Sequence, residues 1–536
     1  MFERRVVAAW AAFGGIAAVS AALVWRRPDP QRLSDLHIYY GAAKFDGPLY
    51  DYVAENGGPF TYPPFAMVLF RPLSLLPEAT LGLLWLAMTC VAVIAIARTV
   101  TRRTGNPLDE QTAAQSAAQS ADGPTPWFRT PVGARVLVAV VASALLVSAP
   151  VQSNLRFGQV SIFIVLLALV DAGQVVPARF RGILVGVAAA IKLTPLLFVV
   201  YFLVARRYKD AARAGAAFVA CAGIAAALMP GASVRYWGGT IFQTSRIGDL
   251  ASLGNQSVHG MLLRVGLDPA TLPVVWAALI AAICGAALLR ARQLHLHGEP
   301  VRAAVLVGCA TVAASPVSWT HHQVWTVLAA MVLVAAEGAG RRAAGVALLV
   351  VMTVSLGVAL RGVAVYPGWQ FTLENARTLG LVAVCVAGFG GVAAVKLRTA
   401  RFRVARRVAV GFAAGLAVLA LTPLPAGADP TFKAYSADDL TNPRYFYFTG
   451  TPVAGQPVTF AIRREKTKVR VNGVVGAEVA GLRYTSAPGG AARGIPLLEA
   501  EPGVRTFSFR SASLAHGRLE ALDAAGQVTA TFTNLA

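Results

Sequence analysis

Runs of about 20 apolar residues recur along this chain, and most of them end in arginine or lysine. At 1.5 Å per residue, such a run forms a helix long enough to cross a ~30 Å hydrocarbon layer. Backbone N–H and C=O groups in that layer must be bonded within the protein, so helices are the natural spanning element. With 56% hydrophobic residues, 14% charged residues and a mean hydropathy of +0.59, the chain is expected to be an all-α polytopic membrane protein over most of its length. The formal charge of +22 would suggest a nucleic-acid partner in a soluble protein. Here the basic residues sit at span ends, where they set topology and meet lipid headgroups, so membrane lipids are expected as partners and nucleic acid is not.

The basic clusters orient the spans. Arg4 and Arg5 precede the first span, Val6–Trp25, which places the N-terminus in the cytoplasm and Arg26–Tyr62 outside. Pro63–Pro77 is short and carries Arg71, as expected of a membrane-edge segment. Further spans are predicted near Ala79–Ala97, Val132–Ala149, Val160–Val176, Ala212–Met229, Leu272–Leu289, Ala303–Ser315, Gln323–Ala336, Ala343–Leu360, Thr378–Val395 and Val408–Leu421, about 11 in all. The polar run Thr104–Thr130 is expected to be a disordered cytoplasmic loop.

Gly182–Ala205 does not fit a single crossing. Lys192 and Pro195 interrupt it, and basic clusters flank both ends: Arg179 and Arg181, then Arg206, Arg207 and Lys209. A re-entrant hairpin of two half-length helices keeps both clusters on one side, with Lys192 facing a cavity; a snorkelling lysine is the plain alternative.

The tail differs in composition. Short β-branched or aromatic segments separated by Gly, Pro and Asn predict a small all-β domain over 429–536, outside the membrane, after a transmembrane domain over 1–428. Asn472-Gly473 reads as a hairpin turn. Arg401–Ala428 can be a final anchor or a cleaved signal-like segment. The five cysteines lie inside apolar spans without metal-ligand spacing, so neither a disulfide nor a metal framework is expected.

The candidate chemistry lies on the outer side. Asp35 opens an amphipathic run, Leu36 to Ala43, consistent with a short surface helix, and either caps it or acts as a base. Tyr39 and Tyr62 lie nearby; His37 has no assigned role. At a second junction, Trp319, His321 and His322 suit phosphate or sugar binding, or a membrane-edge aromatic belt. Asn255 and Gln256 carry amides of the kind that bind sugar hydroxyls, and Arg156 lies at another outer turn. No Walker motif or dinucleotide fingerprint occurs, so a nucleotide-driven enzyme is not expected, and no outer Asp-x-Asp suggests a metal-dependent sugar-nucleotide transferase.

Several motifs occur together and in order: Asp35-Leu36-x-x-Tyr39, Phe60-x-Tyr62-Pro63-Pro64, Gly158-Gln159-Val160, Lys192-Leu193-Thr194-Pro195, Gly254-Asn255-Gln256-Ser257 and Ser315-Pro316-Val317-Ser318-Trp319-x-His321-His322. This set resembles the GT-C glycosyltransferases of family 87 over Met1–Leu397, in particular actinobacterial polyprenol-phosphate-mannose-dependent α-mannosyltransferases. The resemblance implies a metal-independent, cofactor-free enzyme of the bacterial plasma membrane. It would take a sugar, foremost mannose, from a polyprenyl-phosphate donor to a glycolipid or polysaccharide acceptor on the outer face. Asp35 would be the general base, with inversion at the anomeric carbon. Lys192 with His321 or His322 would stabilise the leaving phosphate, and Tyr39, Tyr62, Asn255 and Gln256 would position sugars. A lipid or polysaccharide transporter, or a scaffold presenting the β tail, remain alternative readings.

Overall fold

A computed structural model describes residues 2–28, 31–54, 58–101, 130–247, 250–268, 270–354 and 367–389, and in the tail 458–464, 469–475, 478–486, 491–495, 497–501, 504–511 and 518–533. The chain divides into two compact units, Met1–Leu424 and Pro425–Ala536. The expected cytoplasmic loop, the last span and the signal-like segment lie outside the described residues.

The first unit is helical. Its helices are α1 (Phe2–Trp25), α2 (Ser34–Lys44), α3 (Pro64–Leu73), α4 (Glu78–Thr101), α5 (Pro131–Val147), α6 (Ala149–Phe157), α7 (Ser161–Ala172), α8 (Ile183–Ile191) and α9 (Leu196–Val204). They continue with α10 (Tyr208–Leu228), α11 (Pro230–Gly238), α12 (Val258–Arg264), α13 (Leu272–Leu296), α14 (Pro300–Ala314), α15 (Val324–Val334), α16 (Ala339–Thr353), α17 (Pro367–Glu374) and α18 (Ala376–Ala387). Several start where their sequences direct. Pro occupies the first turn of α3, α5, α11 and α14, where its missing N–H costs nothing. Thr130 Oγ1 accepts from Gly133 N at 3.0 Å to cap α5, and Ser257 Oγ accepts from Gly260 N at 2.9 Å to cap α12.

α1, α4, α10 and α13 are each long and apolar enough to cross a membrane. The pair α5 and α6, bent by 68°, makes a fifth if counted as one span. Valines such as Val7, Val91, Val219 and Val274 are left exposed on these helices, as lipid-facing positions would be. The chain is a multi-pass membrane protein. Among the described residues, three other expected spans coincide with shorter apolar helices: Val160–Val176 with the 12-residue α7, Ala303–Ser315 with the 15-residue α14 and Gln323–Ala336 with the 11-residue α15. Such helices rise only about 16–23 Å at 1.5 Å per residue.

Gly182–Ala205 folds as two nine-residue helices, α8 and α9, joined by Lys192-Leu193-Thr194-Pro195. Both feet lie at one end of the bundle. At the foot of α8, Asp171 accepts from Gly182 N at 2.6 Å and from Val185 N at 2.9 Å. Below α9, Arg207 Nη1 donates to Ala172 O at 2.9 Å and Arg207 Nε to Asp210 Oδ2 at 2.7 Å. Arg213 Nε closes the ring on Arg181 O at 2.6 Å. Gly182 and Gly186 let α8 run against α10: a Cβ at Gly182 would stand 2.1 Å from Asp210 O, and one at Gly186 would stand 2.3 Å from Ala214 O.

In the second unit, strands β1 (Val458–Arg464), β2 (Val469–Val475), β3 (Gly481–Thr485), β4 (Arg493–Ile495), β5 (Leu498–Glu501), β6 (Val504–Ser511), β7 (Arg518–Leu522) and β8 (Val528–Thr533) form two antiparallel sheets. Their orders are β1-β2-β6-β5 and β4-β3-β7-β8. Val471, Val475 and Phe507 of one sheet share a core with Leu482, Tyr484 and Leu519 of the other. Tyr484 Oη also meets Ser511 Oγ at 3.1 Å across the two sheets. Asn472-Gly473 is no turn here. It lies inside β2, paired to Ala461 and Phe460 on one side and to Ser508 and Phe507 on the other. Pairing on both edges overrides its local turn preference.

Asp171 is fully buried and satisfies two backbone donors at once. Asp171→Ala should therefore cost about 1–3 kcal/mol, read as a lower thermal midpoint in detergent. Asp171→Asn, which keeps one acceptor oxygen, should cost less.

Candidate active site

Five separate segments meet at the end of the bundle beyond the α8–α9 tip. The first is α2. Neither Ser34 nor Asp35 caps it: the N-cap position is Leu33, held in the left-handed region at φ 51°. A non-glycine residue there is strained. Leu33 N donates to Arg156 O at 3.1 Å, which ties the start of α2 to the end of α6. Leu36, Tyr39, Ala42 and Ala43 then bury one face of α2, as its amphipathic pattern requires. His37 Nδ1 meets Glu78 Oε1 at 2.7 Å, which fastens the other side to α4 and gives His37 a structural role.

Asp35 is bound by Gln159, whose side-chain N–H donates to Asp35 Oδ2. Gln159 follows Gly158, which ends α6 at φ 66°, a conformation suited to glycine. A Cβ on Gly158 would stand 2.7 Å from Leu36 Cβ, so glycine also allows α2 to approach. Gln159 Oε1 accepts from Tyr62 Oη at 3.1 Å, Ser161 Oγ at 3.3 Å and Tyr39 Oη at 3.4 Å. The amide orientation is thereby fixed, because the reverse would aim its oxygen at a carboxylate. Tyr39 and Tyr62 also share a hydrogen bond at 2.9 Å, and Tyr39 stacks on Phe70 at 4.5 Å. Burial pushes both phenols well above their ordinary pKa, so they stay neutral donors.

Lys192 sits at the hairpin tip. Its Nζ lies 2.7 Å from His322 Nε2, 3.5 Å from Ser161 Oγ and 5.3 Å from the centre of the Tyr62 ring. Asp35 is close enough to act on it electrostatically. His322 lies in the turn Thr320–Gln323, where Trp319 N donates to His322 Nδ1 at 3.1 Å. Burial, and after it the neighbouring Lys192, hold the His321 and His322 imidazoles well below their ordinary pKa. His321 packs edge-on to Phe157 at 6.0 Å and to His322 at 4.3 Å. A small cleft opens here. Lys192, His322, Ser161 and Ser318 line one part of it, and Ile164, Val165 and Trp325 supply apolar wall.

The structure thus brings Asp35, Tyr39, Tyr62, Lys192, His321 and His322 together, with Trp319 bonded through its backbone. Arg156 is half-buried, its guanidinium 4.7 Å over the Phe157 ring. Asn255 and Gln256, expected to contact sugar, are instead buried and engaged by backbone. Asn255 Nδ2 donates to Leu250 O at 2.8 Å and Pro316 O at 3.2 Å, while its Oδ1 accepts from Ser318 N at 2.8 Å and Ser257 N at 3.3 Å. Gln256 Nε2 donates to Leu253 O at 2.8 Å and Glu374 O at 2.7 Å, and its Oε1 accepts from Thr378 N at 3.3 Å. Gln159 and Ser161 were not among the residues expected at the site. The Gly158-Gln159 motif was the available signal.

Residues 60–316 match glycosyltransferase family 87, a segment that begins after Asp35 and ends just before His321 and His322. A polyprenol-phosphate-mannose-dependent α-(1-2)-phosphatidylinositol mannoside mannosyltransferase of Mycolicibacterium smegmatis is 33% identical over 355 residues, covering 61% of this chain and 77% of that protein. One of the same description from Mycobacterium tuberculosis is 32% identical over 365 residues, covering 65% and 80%. A phosphatidylinositol pentamannoside mannosyltransferase of M. smegmatis, dependent on the same donor, is 31% identical over 58% of this chain and 72% of its own length. No solved structure matches the chain.

With every amide group of Asn255 engaged by backbone, Asn255→Ala is expected to lose about 1–3 kcal/mol of stability. Thermal unfolding in detergent checks this.

Proposed function

This chain belongs to glycosyltransferase family 87 and is a membrane glycosyltransferase; on that premise we propose that it moves mannose from a polyprenyl-phosphate donor to a glycolipid acceptor of the phosphatidylinositol mannoside class. One observation carries the reading. A carboxylate, Asp35, is linked through Gln159 and Ser161 to the Lys192–His322 pair, beside a cleft with both polar and apolar walls.

The step follows from those groups. An acceptor hydroxyl attacks the anomeric carbon while Asp35 takes its proton. The bond from that carbon to the phosphate oxygen breaks, inverting the centre, and the electron pair leaves with the polyprenyl phosphate. The phosphate gains one negative charge in this step. Lys192 and His322 sit where that charge would be stabilised, in surroundings shielded from water, where such interactions are strongest. Gln159 orients Asp35, and the Tyr39–Tyr62 pair fixes Gln159. Trp319 holds His322 through its backbone, and His321 packs beside it. Arg156 anchors α2 through its carbonyl. Asn255 and Gln256 hold the wall of the site in shape.

The topology of the reading is a re-entrant α8–α9 hairpin with its feet in the cytoplasmic basic clusters. Its tip and the site then face outward, with the N-terminus inside and the β unit outside. The two feet on one end of the bundle support it.

Asp35→Asn should lower mannosyl transfer by about 10²–10⁴-fold with donor binding retained. Membranes given labelled polyprenyl-phosphate mannose and phosphatidylinositol mannosides measure this. Undiminished transfer would sink the base assignment, and substrate movement without any transfer would favour a transporter. Gln159→Glu sets a second carboxylate against Asp35, which disfavours its charged form. The acidic limb of the pH–rate profile should therefore move to higher pH. Gln159→Ala should lower kcat more than it raises KM.

A further inference from the structure

The hydrogens around Lys192 follow from which of its neighbours can only donate. Trp319 N lies 3.1 Å from His322 Nδ1 and donates to it, because a backbone amide has no other role. His322 Nδ1 therefore holds a lone pair. The ring is then the neutral imidazole, and its one hydrogen sits on Nε2. Lys192 Nζ lies 2.7 Å from that nitrogen. A hydrogen bond at this distance needs an acceptor opposite the Nε2–H. An ammonium offers three hydrogens and no lone pair, so it cannot serve. A free amine, with two hydrogens and one lone pair, can.

The other contacts of Nζ suit the amine as well. Ser161 Oγ gives its own hydrogen to Gln159 Oε1 at 3.3 Å, so it meets Nζ, 3.5 Å away, with a lone pair. The Tyr62 ring centre lies 5.3 Å from Nζ and offers a π face to the second N–H. One lone pair and two hydrogens thus each have a partner. Among the described residues, Asp35, His321 and His322 are the ionisable groups coupled to the charge of Lys192. Tyr62, bonded to Tyr39 at 2.9 Å, is the phenol beside it.

We infer that Lys192 rests as the neutral amine and takes up one proton when the phosphodiester of the donor binds, so that it handles a proton of the reaction as well as contacting the anion. This rests on the donor reading given above. An anion beside Nζ favours the ammonium. Once protonated, Nζ no longer accepts from His322, and the Nε2–H is released toward the phosphate oxygens. One bound anion thereby turns a pair bonded to itself into two donors aimed at phosphate. The protons balance over a turnover. One enters from solvent onto Lys192 with the donor. In the transfer the acceptor hydroxyl loses its proton to Asp35, and the bond from the anomeric carbon to the phosphate oxygen breaks. Lys192 then gives its proton to a phosphate oxygen, the prenyl phosphate leaves as the monoanion, and Asp35 returns its proton to solvent.

The test is calorimetric. The full-length protein in nanodiscs is titrated with a short-chain prenyl-phosphate mannose, without acceptor, in buffers of different ionisation enthalpy. The heats give the protons taken up per donor bound. Uptake should rise with pH toward about one proton, and in that range donor affinity should fall about tenfold per pH unit. Lys192→Arg carries a cation that does not deprotonate, so it should bind donor without uptake and without that pH dependence. Asp35→Asn removes the other group that could gain a proton near a bound anion, and it should keep the uptake. Donor binding without proton uptake overturns the inference and leaves the transferase reading standing. Uptake that disappears in Asp35→Asn, or persists in Lys192→Arg, also overturns it. A wild-type protein that binds no prenyl-phosphate sugar overturns the donor reading and the inference with it. If Lys192→Arg binds no donor, the comparison of wild type with Asp35→Asn still decides.

Discussion

A helix can break inside an apolar bundle only if the backbone groups freed at its ends find partners, and this protein meets that demand at the foot of α8 with one carboxylate. Asp171, on α7, bonds the first amides of α8, while Arg207 and Arg213 bond carbonyls at the neighbouring turns. These contacts hold both ends of the hairpin at one level. The tip is then free to carry Lys192 toward α2 and the His322 turn. Without that fixed base, neither the cleft nor the approach of Lys192 to His322 has a frame.

The site repeats the same logic with neutral groups. Gln159 is the joint between the two charged elements, donating to Asp35 and accepting from three hydroxyls. Its place depends on Gly158, whose left-handed backbone and missing side chain let α2 come close. Opposite it, Leu33 adopts the same unusual backbone region with a full side chain. Both irregular residues thus flank the one carboxylate of the site, so its position is set by local strain as well as by hydrogen bonding.

What the sequence made legible follows from cost. An aspartate beside a membrane and a lysine within an apolar run are expensive, so Asp35 and Lys192 stand out, and basic clusters on both sides of Gly182–Ala205 reveal its fold. Neutral amides carry no such mark. Gln159, which touches Asp35, and Asn255 and Gln256, which hold loops together, look alike as residues; only tertiary pairing separates them. Asn472-Gly473 misled because turn preference is local, whereas β2 is paired along both edges.

The segments that form the site are far apart in the order of synthesis. Asp35 leaves the ribosome early, Gln159 and Lys192 follow, and the turn carrying His322 comes well after them. Until that turn is made, the lysine at the hairpin tip has no imidazole beside it, and the nascent chain must shelter an amine in an apolar setting. The α8–α9 hairpin is meanwhile held at its foot by Asp171, Arg207 and Arg213. Insertion of α14 and α15 brings the His322 turn to the lysine, so a chain interrupted before them holds the Asp35 carboxylate without the Lys192–His322 pair.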